Sequence, residues 1–145
     1  MSKVMFVSSG GGHWVQLKLL SRYLSCDTRF YVCTHKDDQL DGRLYTVLDC
    51  SLSEKVKLVR CFFQCLKIMR ETRPSTIIST GAAPGILCIM IGRAFGINTI
   101  WIDSIANGEK LSLSGKIAKY FAHTCCSQWE DVAKKDGVSY LGRVL

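Results

Sequence analysis

Residues 4–13 read Val4-Met5-Phe6-Val7-Ser8-Ser9-Gly10-Gly11-Gly12-His13, and this stretch decides the fold. Val4–Val7 is an apolar run of the length of a buried strand. It stops at two serines and three glycines, which are turn formers. Beyond them Trp14, Leu17, Leu20 and Leu24 recur at spacings of three and four, the period of an amphipathic helix. Strand, glycine turn and helix in succession open a β-α unit.

The same alternation continues outward. Arg29–Thr34 and the weaker Leu44–Leu48 read as strands around a polar loop from Asp37 to Gly42. Ser53-Glu54 opens a helix to about Thr72, with Pro74 as a stop signal. Thr76–Ser79 is a buried strand that turns at Thr80-Gly81. Pro84 suits a helix first turn, and that helix runs to about Phe95 with Gly96 behind it. Thr99–Ile102 is a strand, Asn107–Leu113 a loop, and Ser114 the expected cap of a helix to Phe121. His123–Cys126 is a strand, Gln128–Lys135 a short helix, and Ser139–Leu141 a last extended piece. Continuous apolar strands alternating with helices predict an α/β domain, a Rossmann-like parallel sheet with helices on both faces. Ligands of such sheets bind beyond the carboxyl ends of the strands, where Ser8–His13, Ser79–Gly85 and Asp103–Gly108 fall.

Composition narrows the function. The chain has 145 residues, 48% hydrophobic and 21% charged, with two prolines. That excludes disordered and collagen-like chains, and the length predicts one domain over residues 1–145. The net charge is +7, an attraction for phosphates, anionic membranes or nucleic acid. Eight cysteines occur without a C-x-x-C, so they read as small core residues; no metal ligand set is indicated. The start, Met1-Ser2-Lys3, carries no signal peptide pattern. The longest uncharged apolar stretch, Thr80 to Gly92, falls short of the ~20 residues of a spanning helix. A soluble or peripheral protein is expected.

Gly10-Gly11-Gly12 lets a ligand approach the backbone and opens a helix whose N-terminus attracts anions. A dinucleotide fingerprint fails twice: its third glycine position is Val15, and Thr34-His35-Lys36 replaces the ribose-binding acid. There is no G-x-x-x-x-G-K-[ST] either. No cofactor is implied. His13 stands at the helix start, and an imidazole in its neutral form can take a proton from a hydroxyl; a capping or positioning role is the alternative.

Three segments carry a resemblance: Ser8–His13 with Gln16 and Leu17, Ser79–Gly85 (STGAAPG), and Ile102 to Trp129. Together with Tyr140-Leu141-Gly142-Arg143 they resemble the PssD/CpsF family of bacterial exopolysaccharide and capsule proteins. The pattern is similar to the membrane-anchoring subunit of the eukaryotic split dolichol-linked N-acetylglucosaminyltransferase. More distantly it is similar to the N-terminal half of MurG, a two-lobed GT-B glycosyltransferase. The resemblance implies the N-terminal, acceptor-binding lobe of such an enzyme, inactive alone. It implies a PssE/CpsG-like donor-binding catalytic subunit as partner, and a polyprenyl-diphosphate-linked saccharide bound at the cytoplasmic membrane face. By the same resemblance His13 is the base or acceptor-positioning group, and Asp103 a carboxylate that orients His13 or binds a sugar hydroxyl. Gly10, Gly11, Gly12, Thr80, Gly81, Gly85 and Ser104 are the implied substrate-binding residues. The alternatives are turn shaping for Gly81 and Gly85, loop capping for Asp103, and a non-catalytic anchoring and activating protein.

Glu54 to Arg73 is a basic amphipathic segment. Leu58, Phe62, Cys65, Leu66 and Met69 share a face, flanked by Phe63, Val59 and Val56 on one side and Cys61 and Ile68 on the other. Lys57, Arg60 and Lys67 lie opposite. The apolar arc, roughly 240°, exceeds what covering a sheet requires. Phe62 and Phe63, with Lys57, Arg60 and Lys67, are therefore candidates for a membrane or partner surface; burial between sheet and helices is the other reading. The bases are not interleaved with exposed aromatics, so nucleic acid is not the expected partner.

Overall fold

The computed structural model describes residues 2–144 and has the expected alternation. Its strands are β1 (Lys3–Ser8), β2 (Thr28–Cys33), β3 (Arg43–Thr46), β4 (Thr76–Gly81), β5 (Asn98–Ile102), β6 (Thr124–Ser127) and β7 (Ser139–Tyr140). Its helices are α1 (Gly12–Arg22), α2 (Lys55–Thr72), α3 (Ala82–Ala94), α4 (Leu113–Phe121) and α5 (Glu130–Asp136). The sheet is parallel throughout, in the order β3-β2-β1-β4-β5-β6-β7.

Strand alternation divides the core in two. Met5 and Val7 face Cys61, Cys65, Ile68 and Met69 of α2, with α3 and Ala118 of α4. Phe6 and Tyr31 face the other way, onto Trp14 and Leu17 of α1. Helices thus cover both faces. All eight cysteines are free, six of them buried.

The chain leaves β1 in one direction for β2 and returns across it, through α2, to β4. The gap between the carboxyl ends of β1 and β4 is the crevice where parallel α/β sheets bind ligands. The register slips there: Val7 pairs with Ser79, but Ser8 pairs with Gly81. Thr80 is the extra residue of this bulge, and bulges re-aim side chains.

Several boundaries move. β4 runs through Gly81, two residues past the expected end, because Ser8 continues to pair with it. The cap of α4 is Ser112, not Ser114: the Ser112 hydroxyl accepts the Gly115 N–H at 2.9 Å, while Ser114 lies inside the first turn. β3 ends at Thr46, short of Leu48, whose N–H turns to the Gln64 side chain of α2. No helix among the described residues is long and apolar enough to cross a membrane.

Candidate functional site

The first and second loops are locked together through His13 and Thr80. His13 Nδ1 lies 3.2 Å from the Thr80 carbonyl oxygen, and the Thr80 hydroxyl donates to the His13 carbonyl at 2.7 Å. A carbonyl only accepts, so in the neutral ring Nδ1 carries the proton and Nε2 the lone pair. The half-buried ring borders a cavity of about 430 Å³. Gly81 makes room for it: a Cβ there would collide with the His13 ring. The next residue, Ala82, adopts φ 67°, a left-handed conformation that costs an alanine about 1–2 kcal/mol.

The first loop is open. Gly11 has φ 72°, suited to glycine, and nothing lies within 4 Å of a Cβ placed on Gly11 or Gly12. Gly10 is tied down, its N–H donating to the Thr34 hydroxyl at 3.2 Å. Nearby, Asp37 accepts from Trp14 Nε1 at 2.9 Å and from Lys18 Nζ at 2.8 Å, which fixes the β2–β3 loop on α1. The Lys18 ammonium, and then the indole N–H, hold this carboxyl well below the usual carboxylate range.

Asp103 makes no hydrogen bond to His13. It is 1% exposed and accepts four hydrogen bonds, from Trp101 Nε1, Asn107 Nδ2, and the Ser112 N–H and hydroxyl. Those fill the roughly four lone-pair sites of a carboxylate. The group organises the loop from β5 to α4, and the Thr80 carbonyl orients His13 instead. Gly115 makes space for Asp103, since a Cβ would stand 2.5 Å from its Oδ1.

Three more expected contacts turn inward. The Ser104 hydroxyl accepts from Gln16 Nε2 at 3.0 Å and from the Ala106 N–H. Gln128 extends this buried network, donating to Gln16 Oε1 and to the Asp103 carbonyl. Gly85 faces Ser79 and Trp101, where a side chain would collide, so it serves the packing of α3 on the sheet. Thr80 is fully buried and spends its polar groups on His13.

On α2 the two phenylalanines separate. Phe62 is half-buried against the core, whereas Phe63 is 60% exposed. Val56 and Val59 are exposed with it, at the spacing of one stripe, and Arg60, Lys67 and Arg70 fall within the same sector. Lys57 pairs with Glu54 away from the stripe.

Sequence reading missed two things at the cavity. One is the strained Ala82, because alanine gives no signal of a left-handed backbone. The other is Ser114, which reads as a helix cap.

This sheet order, with its crevice between β1 and β4, is that of a Rossmann-like lobe of the GT-B fold. The family model for "Oligosaccharide biosynthesis protein Alg14 like" matches residues 42–144, and the chain belongs to that family. A search of curated proteins gives no significant match. Among solved structures the chain is similar to MurG of Acinetobacter baumannii, with TM-score 0.73 and 14% identity over 91% of this chain and 43% of that one. It is similar to the UDP-GlcNAc 2-epimerase of Neisseria meningitidis solved bound to UDP-GlcNAc, with TM-score 0.74 and 9% identity over 98% and 47%. The Rickettsia bellii UDP-N-acetylglucosamine 2-epimerase gives TM-score 0.74 and 10% identity over 95% and 42%. The chain therefore spans less than half the length of these proteins. A transferase and epimerases share the fold, so the fold alone does not select the activity.

Proposed function

We propose that this chain is the acceptor-binding lobe of a split glycosyltransferase, in exopolysaccharide or capsule biosynthesis. It binds a polyprenyl-diphosphate-linked saccharide at the inner face of the plasma membrane. It pairs with a separate PssE/CpsG-like subunit that holds a UDP-sugar. The observation that carries this reading is His13: its Nδ1 is committed to the Thr80 carbonyl, which leaves Nε2 with a lone pair at a cavity in the crevice. In an inverting transfer the acceptor oxygen attacks the anomeric carbon and the bond to UDP breaks. His13 Nε2 takes the proton, and UDP leaves with the electron pair. The exposed Val56, Val59 and Phe63 beside Arg60, Lys67 and Arg70 suit an anionic membrane surface.

A second reading is a non-catalytic anchoring and activating protein. It is favoured by Asp103, Ser104, Thr80 and Gly85, which are all engaged within the fold. Reconstitution separates the readings. The chain is incubated with UDP-sugars and a lipid-linked acceptor, with and without the donor-binding subunit. Transfer should require both chains, and His13→Ala should lower the rate of the pair by about 10²–10⁴-fold. Full turnover by the chain alone overturns the split; a near-normal rate for His13→Ala selects the anchoring role.

A further inference from the structure

Gln16 is an amide on the buried side of α1, one turn after His13. It is flanked by Trp14 and Leu17, which pack in the core. An amide withdrawn from water is costly unless it finds partners, and all of those of Gln16 come from far along the chain. Its Oε1 accepts the Ile105 N–H at 3.1 Å and Gln128 Nε2 at 2.8 Å, and its Nε2 donates to the Ser104 hydroxyl at 3.0 Å. Gln128, fully buried, is held in turn. Its Nε2 also donates to the Asp103 carbonyl at 2.9 Å, and its Oε1 accepts the Val144 N–H at 3.0 Å. A backbone N–H only donates and a carbonyl only accepts, so each amide has one orientation. A satisfied buried network of this kind fixes one arrangement of the groups it joins.

The start of α1 has few other holds. Its N-cap is Gly11, which offers no side chain, and nothing lies within 4 Å of the Cβ position of Gly11 or Gly12. Trp14 and Lys18 tie one side of the helix to Asp37 on the β2–β3 loop. Among the described residues, Gln16 is the side chain of α1 that bonds to the loops after β5 and β6. The two ties set the roll of α1 and its distance from β4, where His13 meets the Thr80 carbonyl. Nδ1 keeps the proton while that carbonyl is in reach. A histidine side chain released into water favours the proton on Nε2, which then has no lone pair to offer.

We propose that Gln16 is a positioning residue for His13. With Gln128 holding its amide, it keeps the ring against Thr80 and so keeps the lone pair on Nε2. This rests on the reading of His13 as the base and adds the group that orients it.

The test reads the ring directly. Nitrogen-15 NMR of the full chain, with the imidazole in its neutral form, should show His13 mainly as the Nδ1–H tautomer; His13→Ala identifies its signals. Gln16→Met keeps an unbranched side chain and removes the amide, and in it the Nε2–H tautomer should become the major form. Gln128→Met should shift the ring the same way. In the reconstituted pair Gln16→Met should lower kcat about 10–100-fold with KM nearly unchanged. Ser21, buried on the same helix with its hydroxyl bonded to the Lys18 carbonyl and to Tyr31, supplies the control. Ser21→Ala should lower the melting temperature and leave tautomer and kcat as in the wild type. A Gln16→Met ring that keeps its Nδ1 proton overturns the proposal, whatever the melting temperature. An equal shift in Ser21→Ala overturns it as well, since general loosening of α1 then accounts for the change. A shifted tautomer with undiminished kcat, in a pair that His13→Ala slows, overturns the link from orientation to rate. A near-normal rate for His13→Ala overturns the base reading instead, and the spectrum still decides whether Gln16 orients the ring.

Discussion

A methyl group on Gly81 tests the coupling between the two loops. Built on the present backbone, it would overlap His13 Nδ1, with Cε1 only 2.5 Å and Cγ 2.9 Å away. The ring must leave the Thr80 carbonyl or the backbone must shift. A lost hydrogen bond costs about 0.5–1.5 kcal/mol, and overpacking typically about 1–3 kcal/mol. Gly81→Ala should therefore destabilise the chain by roughly 1–3 kcal/mol. At about 3 °C per kcal/mol for a domain near this length, the melting temperature should fall by roughly 3–9 °C. Any intrinsic backbone cost at position 81 is the same whether or not the ring is present. A double-mutant cycle with His13→Ala removes it. In the His13→Ala background Gly81→Ala should cost at least about 1 kcal/mol less, measured by denaturant unfolding of the four proteins. Additive costs in the cycle would refute the claim that Gly81 is there to seat the histidine.

Other changes report on neighbouring parts. Ala82→Gly relieves the left-handed alanine at the expense of chain entropy, and should raise stability by about 0.5–1 kcal/mol in thermal melts. Phe63→Asp should leave folding unchanged within about 0.5 kcal/mol while abolishing co-sedimentation with anionic vesicles. Phe62→Asp should instead unfold the chain partly or wholly, seen by circular dichroism, because it packs against the core. The depressed Asp37 carboxyl contributes stability that is complete above its unfolded pKa of about 3.9. That stability is lost as pH falls from there toward the lower folded value. Acid titration of Trp14 fluorescence should show a transition below about pH 4 that Asp37→Asn shifts or removes.

The strand and helix order was legible because buried parallel strands are continuously apolar and their glycine-rich ends stand out. The three loops at the carboxyl ends follow from that order. The internal economy of the site was not legible. Asp103 looks like a catalytic carboxylate in sequence, yet whether its oxygens are free depends on Trp101, Asn107 and Ser112 closing around it in space. Gly81 and Gly85 look equivalent; one ends β4 and faces the histidine, and the other lies in the first turn of α3 and faces Ser79. On α2 the apolar arc is wider than the sheet can cover. Periodicity cannot say which flank is buried, and contact with the sheet and α3 chose Cys61 and Ile68 over Val59 and Phe63.

The central place of β1 has a consequence for biosynthesis. Val4 is flanked by Arg29 on one side and Thr76 on the other. The second neighbour is translated only after β2, β3 and all of α2. At about 5–20 residues per second, the apolar β1 waits several seconds, and the cysteine-bearing side of α2 roughly 0.5–3 s, for the strand that closes over them. During that interval Met5, Val7, Cys61 and Cys65, all sealed in the finished fold, are accessible to water, oxidants and other nascent chains. Much of the hazard in making this protein is therefore concentrated before residue 76, and slow synthesis or a binding chaperone over that window should govern its yield.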